Sequence, residues 1–259
     1  MVATVSIPER VLQDKVAVVT GGSRGLGKAM AEGLARAGAD VVVVSRHLEA
    51  CQAVAEDLRR YGGRHQGLAA DVSRVAEADR LMDQVHSARG RVDILVNNAG
   101  ISPIFKRAET VTENEWDDII DTNLKGAYFC AAAAGRAMIE QKSGSIINIS
   151  SAVGEEGAAR LSVYAVAKAG VISLTKTLAV EWAQHNIRVN CIAPAYFDVG
   201  VSEPALNTKW VYEEIIRRTP MKRVGLASEL MGVVVFLASN ASSYVTGHTL
   251  YVDGGWHAA

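Results

Sequence analysis

Short apolar stretches rich in valine and isoleucine alternate with longer segments of helical periodicity along most of the chain. Their nearly continuous hydrophobicity is typical of parallel strands that are buried on both faces. These stretches predict strands at Ala17–Thr20, Val41–Ser45, Gly67–Ala70, Ile94–Val96, Ser145–Ser150, Arg188–Ile192 and Thr249–Val252. The segments between them predict helices at Leu26–Ala37, Leu48–Tyr61, Val75–Ala88, Glu115–Gln141, Ser162–His185, Lys209–Arg218 and Glu229–Ala238.

This alternation predicts an α/β fold, with one doubly wound parallel sheet flanked by helices on both faces. We assign residues 15–259 to a single domain and residues 1–14 to an N-terminal lead-in. The stretch from Ala195 to Pro220 breaks the alternation. An insertion before the last helix is expected to cover the site, so we predict a substrate lid at about 195–220.

Composition and charge narrow the class of protein. The 259 residues are 49% hydrophobic and 21% charged, with a formal net charge of −1, which gives no basic excess for nucleic acid. No apolar run approaches the roughly 20 residues of a membrane helix. Three scattered cysteines and no signal-peptide pattern favour a reducing compartment, the cytoplasm. The six histidines form no metal-binding pattern, so we expect a small-molecule partner and no metal.

A glycine-rich turn with the spacing G-x-x-x-G-x-G follows the first predicted strand and opens the first predicted helix. Glycine lets the backbone turn sharply and approach a pyrophosphate, and the helix N-terminus supplies free N–H groups. The pattern predicts a dinucleotide site, although a tight turn without a ligand has the same glycines. The expected contacts are Gly21, Ser23, Arg24, Gly25, Leu26 and Gly27.

The end of the second predicted strand indicates which nicotinamide cofactor is used. An NAD enzyme usually places a carboxylate there to bind the ribose 2′-hydroxyl. This chain has Ser45 and Arg46 instead. A serine hydroxyl and an arginine can bind a 2′-phosphate, and Arg24 can flank it. We therefore favour NADP(H) over NAD(H); the alternative is two solvated arginines at a surface turn.

Two further strand ends carry candidate cofactor contacts. Asp71 and Val72 follow the third predicted strand, where an acid could accept a hydrogen bond from the adenine amino group. The alternative role for Asp71 is that of a helix N-cap. Asn98, Ala99 and Gly100 follow the fourth strand, and this sequence suits a turn that passes close to the cofactor.

Tyr164 and Lys168 lie four residues apart in a predicted helix, which places them on one face. A neighbouring ammonium favours the phenolate and lowers the pKa of a tyrosine, which can then exchange a proton with an alcohol or ketone. Ser151 ends the fifth predicted strand, where its hydroxyl could hold the substrate oxygen. Alone, such a tyrosine and lysine would be an ordinary surface pair.

Taken together, these motifs resemble the short-chain dehydrogenase/reductase family, which has a Rossmann fold, over about Lys15 to Gly255. The matching segments are Thr20–Gly27, Asn97–Gly100, Thr122-Asn123, Ile149–Ser151, Tyr164–Lys168 and Asp253–Gly255. The resemblance implies that Tyr164 is the general acid/base and that Lys168 binds the nicotinamide ribose and lowers the pKa of that tyrosine. It also implies that Ser151 orients the substrate oxygen and that Asn123 anchors a water that relays protons.

The resemblance also implies a homotetramer, built from paired long helices and the C-terminal segment. The chain departs from the family pattern after the sixth strand, where Pro-Gly and a later threonine contact the cofactor. Pro194 is kept as an expected cofactor contact, but Ala195 replaces the glycine and Val199 stands near the threonine position. Ser202 could compensate for the missing hydroxyl.

Candidate substrate residues are Ser151 and Tyr164 together with Glu155 and Tyr196, which come from the segment after Ser151 and from the predicted lid. A carboxylate accepts hydrogen bonds from several hydroxyls, and Arg160 could meet a substrate carboxylate. The segment from Arg218 to Gly255 resembles sugar-acid dehydrogenases of the gluconate 5-dehydrogenase type, which implies a sugar acid or polyol-like substrate. The alternative for these charged residues is a solvated loop.

Two other functions remain open from the sequence. One is a 3-oxoacyl carrier-protein reductase, which would need a basic surface to bind an acidic carrier protein. Arg107, Lys125 and Arg136 are basic but scattered along the sequence, which leaves this function open. The other is a binding protein for NADP(H) that acts as a sensor or scaffold without turnover. The complete set of Ser151, Tyr164 and Lys168 argues against the second, because a binding protein needs no activated phenol.

Overall fold

The computed structural model of the chain describes residues 10–199 and 206–259. The strands of this part of the chain form one parallel sheet in the order β3-β2-β1-β4-β5-β6-β7. This confirms the predicted doubly wound sheet. The strands are β1 Val16–Thr20, β2 Asp40–Ser45, β3 Gln66–Ala69, β4 Ile94–Asn97, β5 Gly144–Ile149, β6 Ile187–Pro194 and β7 Thr249–Val252.

Helices cover both faces of the sheet, because successive strand residues point to opposite sides. Val41 and Val43 of β2 belong to one apolar cluster, and Val42 and Val44 belong to the other. The first cluster includes the buried faces of α1 and α8, and the second includes those of α3, α5 and α6. The helices are α1 Gly25–Arg36, α2 Leu48–Leu58, α3 Val75–Arg89, α4 Glu113–Ile120, α5 Gly126–Gln141, α6 Ser162–Trp182, α7 Lys209–Arg218 and α8 Glu229–Ala238.

The strand order reverses between β2 and β4, which pair with opposite sides of β1. In open parallel sheets this reversal leaves a crevice outside the carboxyl ends of the strands, and ligands bind there. Thr20 and Asn97 are paired at the ends of β1 and β4. The fold therefore directs the glycine-rich turn and the segment after β4 into the same crevice.

The predicted helix Glu115–Gln141 is interrupted in the structure. α4 begins two residues earlier, because Thr112 and Glu115 form a reciprocal capping box. A π-helical turn at Asp121–Lys125 then separates α4 from α5. Such a turn inserts an extra residue, and here it directs the Asn123 side chain into the protein, where Asn123 is 1% exposed.

The N-terminal lead-in is only partly described, from residue 10 onward. Within it Leu12 is 1% exposed and its N–H donates to the carbonyl of Ala37, 2.9 Å away. This segment is therefore attached to the end of α1, rather than loosely held as the sequence indicated.

One described helical segment, Ser162–His185, is long and apolar enough to cross a membrane by length and composition alone. It consists of α6 and the turn that follows, and 44% of its most apolar window is buried inside the protein. Its residues Val171, Leu174 and Leu178 pack in the core beside the sheet. The apolar character of α6 is thus explained by its position in the fold.

Candidate active site

The glycine-rich turn is packed tightly against the segment that follows β4. The Thr20 hydroxyl accepts hydrogen bonds from the N–H groups of Asn98 and Ala99, both at 3.1 Å. A Cβ on Gly21, whose φ is +62°, would lie 2.8 Å from Asn98 Nδ2, and one on Gly27 would lie 2.2 Å from the Gly21 carbonyl oxygen. Side chains at these positions are therefore excluded, and the backbone surface remains open to a ligand.

The N-terminus of α1 fits the pyrophosphate of a dinucleotide. The helix begins at Gly25, which has φ of +54°, and the preceding residue Arg24 makes no side-chain hydrogen bond to the helix. The first N–H groups of α1 therefore lack a capping side chain and can donate to phosphate oxygens. Ser23 and Leu26 are half-buried beside them. The predicted pyrophosphate contacts thus lie on one continuous turn.

Ser45 and Arg46 lie at the carboxyl end of β2. The Ser45 hydroxyl accepts a hydrogen bond from the His47 N–H at 3.2 Å and lies 3.0 Å from Cys51 Sγ. Arg46 and Arg24 are exposed, and the described residues offer neither of them an ion pair within 4.0 Å. An oxygen anion at the edge of this turn would meet two guanidinium groups and a hydroxyl.

Asp71 begins a turn ahead of α3 and does not cap the helix. Its carboxylate accepts hydrogen bonds from the N–H and hydroxyl of Ser73, at 3.1 and 2.7 Å, while Arg74 occupies the N-cap position. Burial alone would raise the pKa of Asp71, but the bonds from Ser73 and the charges of Arg46 and Arg74 lower it. Asp71 is therefore an ionised acceptor in the crevice. Val72 is buried behind it.

Ser151, Tyr164 and Lys168 come together where β5 ends beside the first turns of α6. The Lys168 ammonium is 4% exposed and donates to the carbonyl of Ile149 at 2.8 Å. Lys168 Nζ lies 5.7 Å from the centroid of the Tyr164 ring, so both side chains occupy the same side of the helix. Ser151 is 8% exposed and hydrogen-bonds to the Tyr164 phenol.

The protonation equilibria of this pair differ from the expectation drawn from the sequence. Burial raises the pKa of Tyr164 to about 12, and the hydrogen bond from Ser151 only partly opposes that shift. Burial also lowers the pKa of Lys168 to about 8. The sequence analysis expected Lys168 to lower the pKa of Tyr164. No such lowering is found, because loss of hydration on burial has the largest effect on the pKa of both side chains.

Two residues that the sequence analysis did not single out fix α6 to β5. The Ser150 hydroxyl donates to the Lys168 carbonyl oxygen at 2.7 Å. A Cβ on Gly154 would lie 2.8 Å from both the Lys168 carbonyl carbon and Ser150 Oγ. The contact therefore requires glycine at position 154. The short spacing between Ser150, Ser151 and Gly154 was the only sequence signal for these roles.

Asn123 lies behind Gly100, close to Lys168. Its Oδ1 accepts from the Ile101 N–H at 2.7 Å, and its Nδ2 donates to the Ile101 carbonyl at 2.8 Å. A Cβ on Gly100 would lie 3.4 Å from both Asn123 Oδ1 and Lys168 Nζ. The structure thus brings Asn123, Gly100 and Lys168 together, as the family resemblance implied.

An aromatic and charged cluster forms a wall beside Tyr164. The rings of Tyr196 and Trp256 meet edge to face, with centroids 5.1 Å apart, and the Arg218 guanidinium lies 4.1 Å from the Trp256 ring centroid. Glu156 accepts from Trp256 Nε1 and contacts His257 Nδ1, each at 3.0 Å. We call these five residues the C-terminal wall, because two of them belong to the end of the chain.

Comparison with known proteins supports the geometric assignment. A short-chain dehydrogenase family model, described as enoyl-(acyl carrier protein) reductase, matches residues 21–257. The chain is 42% identical to 2-dehydro-3-deoxy-D-gluconate 5-dehydrogenase of Escherichia coli, over 95% of this chain and 97% of that protein. It is 41% identical to the 3-oxoacyl-[acyl-carrier-protein] reductase FabG of Chlamydia trachomatis, over 95% and 98%.

The chain belongs to the short-chain dehydrogenase/reductase family. A gluconate 5-dehydrogenase from Burkholderia cenocepacia, solved with NADP and tartrate, superposes with a TM-score of 0.93 at 35% identity, covering 97% of this chain and 98% of that one. A short-chain alcohol dehydrogenase from Sinorhizobium meliloti gives 0.93 at 40% identity, over 96% and 98%. The protein is therefore an oxidoreductase that interconverts a secondary alcohol and a ketone with a nicotinamide cofactor.

The region after β6 shows how this oxidoreductase accommodates its departures from the family pattern. Pro194 is the last residue of β6 and pairs with Val252. Ala195 donates from its N–H to the Val252 carbonyl at 3.3 Å, so the extra methyl group is tolerated in an extended segment. Val199 is half-buried, whereas Ser202 lies outside the described residues.

The charged residues that follow Ser151 differ in their surroundings. Glu155 is exposed, whereas its neighbour Glu156 points into the C-terminal wall. Arg160 has φ of +67°, and its guanidinium lies 5.5 Å from the ring centroid of Phe105. The cation of the wall is Arg218, which sequence reasoning missed because it lies far away in the chain.

The exchange Tyr164→Phe tests the assignment of the acid/base residue. We expect turnover to fall by about 10²–10⁴-fold, since the proton carrier is lost, while NADPH affinity stays within about twofold because the ring remains. Steady-state kinetics and fluorescence titration measure the two effects. Tyr244→Phe, on a fully exposed side chain, is the matched control. Retained turnover in the Tyr164 variant contradicts the assignment.

Proposed function

We propose that this protein is an NADP(H)-preferring dehydrogenase that interconverts a secondary alcohol and a ketone of a sugar acid. The observation that carries the proposal is the position of Arg218 in the wall beside Tyr164. Burial raises the pKa of Tyr196, and the charge of Arg218 opposes this shift, so the guanidinium acts on the interior of the wall. Tyr196 in turn raises the pKa of Tyr164. A substrate at Tyr164 therefore lies beside a wall that carries the Arg218 cation and, 3.9 Å from it, the Glu156 carboxylate, whose charge raises the pKa of Tyr196.

In the proposed mechanism the Ser151 hydroxyl binds the substrate oxygen. The Tyr164 phenol donates its proton to that oxygen during reduction, and the Tyr164 phenolate takes the proton back during oxidation. Lys168 remains an ammonium at neutral pH, since its pKa is about 8, and its remaining N–H bonds would hold the nicotinamide ribose. Asn123 would anchor the water that returns the proton to solvent. A nicotinamide held there would supply the acceptor for the hydride of the carbinol carbon; together with the proton passed to Tyr164, the alcohol would lose two electrons and two hydrogens.

NADP(H) preference is supported by the residues around the end of β2. Ser45, Arg46 and Arg24 offer a hydroxyl and two cations, and β2 ends without the carboxylate that NAD enzymes usually carry there. Gly21, Gly25 and the N-terminus of α1 would hold the pyrophosphate. Asp71, Val72, Asn98, Ala99, Gly100 and Pro194 complete the proposed cofactor contacts. Two of the similar solved structures contain NADP.

The exchange Arg46→Gln tests this preference. We expect the Kd for NADPH to rise by roughly tenfold, as one charge-assisted hydrogen bond is lost, and the Kd for NADH to change by less than about twofold. Fluorescence titration of both cofactors measures the difference. Arg80→Gln, an exposed arginine on α3, is the matched control. Equal affinity of the unmodified protein for NADPH and NADH would falsify the phosphate assignment.

A sugar acid fits the site because it carries a carboxylate, which an arginine can bind, and hydroxyls, which carboxylates of the site can bind. Arg218 is about half exposed and lies 3.9 Å from Glu156, so its guanidinium keeps donors free for a carboxylate. Glu156 and the proposed substrate residue Glu155 can accept bonds from hydroxyls. We further propose that residues 195–220 act as the lid, because Tyr196 and Arg218 stand at its two ends; residues 200–205 of this stretch lie outside the described part of the chain. The E. coli relative named above acts on such an acid, by its name.

The exchange Arg218→Ala tests the substrate class. We expect the KM for 2-dehydro-3-deoxy-D-gluconate or gluconate to rise roughly 10- to 100-fold, with little change for an uncharged polyol of similar length. Arg217→Ala is the matched control, because Arg217 lies next to it on α7 but pairs with Glu214 on the surface. A similar KM increase for both substrates, or activity on the uncharged one alone, contradicts the proposal.

A carrier-protein reductase is the second candidate, because curated relatives at about 40% identity have that name. The basic residues that such a reductase would use are already paired here. Arg107 contacts Glu109 at 3.8 Å, Arg136 contacts Asp79 at 2.5 Å, and Lys125 contacts Asp121 at 2.7 Å. These pairs weaken the attraction for an acidic carrier protein, and we therefore favour the sugar acid.

A homotetramer is part of the proposal. Tyr128, Val166 and Val180 project from α5 and α6 and are 48%, 49% and 82% exposed. Phe236 on α8 is also exposed, and β7 at the edge of the sheet is only half-buried. Two separate apolar surfaces of this kind suit an assembly with two types of interface.

Val180→Lys tests the helical surface of this assembly. We expect the unmodified protein to sediment at four times the 27.6 kDa chain mass and the variant to form smaller species, since a charge enters an apolar contact. Analytical ultracentrifugation measures both. Val11→Lys, at a 48% exposed position on the N-terminal segment, is the control. A monomeric unmodified protein contradicts the proposed assembly.

A cytoplasmic location is also proposed, and the cysteines support it. All three are buried and unpaired. Burial raises the pKa of Cys130 to about 12 and that of Cys191 to about 11, so these thiols stay protonated and unreactive. Such residues suit a reducing compartment.

A further inference from the structure

A second cavity lies at the amino-terminal edge of the sheet, on the opposite side from the cofactor crevice. Its volume is about 720 Å³, and its walls come from the segments that precede β1 to β4. The five strand residues of β1 separate it from the glycine-rich turn by about 17 Å at 3.3 Å per residue. The cavity therefore does not belong to the active site.

Five arginines line this cavity, which we call the arginine cavity: Arg10, Arg36, Arg64, Arg89 and Arg91. Two acids, Asp14 and Asp40, line it as well. Asp93 lies behind Arg91 and binds it through two hydrogen bonds of 2.6 and 2.7 Å. Five cations therefore face three carboxylates, in a chain whose overall net charge is −1.

Three of the arginines are held in place by the protein. Arg64 Nε lies 2.9 Å from Asp40 Oδ2, and Arg91 is fixed by Asp93. Arg89 is only 10% exposed, lies 3.8 Å from Asp40 and donates to the Arg64 carbonyl at 2.8 Å. These contacts orient the guanidinium groups in advance, so a ligand would not have to order them.

The other two arginines have no acid partner among the residues that the structure describes. Arg36 Nη1 contacts only the Met231 sulfur, at 3.9 Å, and Arg10 Nε donates to the Gln13 amide oxygen at 3.4 Å. Both contacts are long and involve uncharged groups. Their charges are therefore available to a ligand in the cavity.

We propose that the arginine cavity binds a small polyanion with two or more phosphate or carboxylate groups. Planar guanidinium groups bind both kinds of oxyanion through paired hydrogen bonds. The volume of about 720 Å³ lies in the range of small-molecule sites, about 300–1,000 Å³. The site is separate from the cofactor site and independent of the proposed dehydrogenase activity.

Calorimetric titration of the full chain tests this proposal. One equivalent of NADPH per chain first fills the cofactor site, and pyrophosphate or citrate is then titrated at low ionic strength. We expect one binding event per chain. In Arg10→Gln/Arg36→Gln its Kd rises about tenfold or more, since two unpaired cations are lost, while dehydrogenase turnover stays at the level of the unmodified protein.

The double variant Arg59→Gln/Arg80→Gln is the matched control, because it removes two exposed arginines of the same half of the sheet that do not line the cavity. Its Kd is expected to stay within about twofold. Binding of pyrophosphate alone identifies a phosphorylated ligand, and binding of citrate alone a polycarboxylate. The proposal is overturned by no binding of either probe, by equal loss in both double variants, or by tighter binding of an acidic peptide than of both probes.

Discussion

The buried ammonium of Lys168 is the interaction on which the active site depends. Its Nζ donates to the end of β5 at Ile149, and its backbone carbonyl accepts from Ser150. These two bonds join the same residue of α6 to two neighbouring residues of one strand. Because Ser151 follows directly, its hydroxyl is placed against Tyr164 by the same contacts. The strand end and the helix face are therefore a single rigid unit.

This arrangement is unfavourable for the charge itself. Burial lowers the pKa of Lys168 to about 8 and raises that of Tyr164 to about 12, so both groups lose solvation of their charged forms. A hydrophobic residue at position 168 would avoid that loss. The fold retains a lysine there, which indicates that the site is shaped by its chemistry more than by stability. A protein that only bound NADP(H) would not need this buried pair.

The sequence was sufficient to predict the sheet and the common helix face of Tyr164 and Lys168, because both depend on local sequence pattern. Strand alternation and the four-residue spacing of Tyr164 and Lys168 can be read directly from the chain. The π-helical turn at Asp121–Lys125 could not, since it is fixed by the tertiary bonds between Asn123 and Ile101. The different surroundings of Glu155 and Glu156 could not be predicted for the same reason: only the fold brings Trp256 and His257 to one of these two adjacent acids.

The two edges of the sheet differ in the helix ends that meet them, and therefore in the charge that they present to a ligand. Helix N-termini meet the carboxyl edge, where α1 has no capping side chain and can bind phosphate. Helix C-termini meet the amino edge, and basic residues in the last turns of α1 and α3 are expected there to offset the negative dipole ends. That explanation covers Arg36 and Arg89. It does not cover Arg10, Arg64 or Arg91, which lie outside these helices. Asp40 and Asp93 pair with Arg64 and Arg91, so among the described residues Arg10 is the cavity arginine whose charge is offset neither by an acid within ion-pair distance nor by a helix dipole.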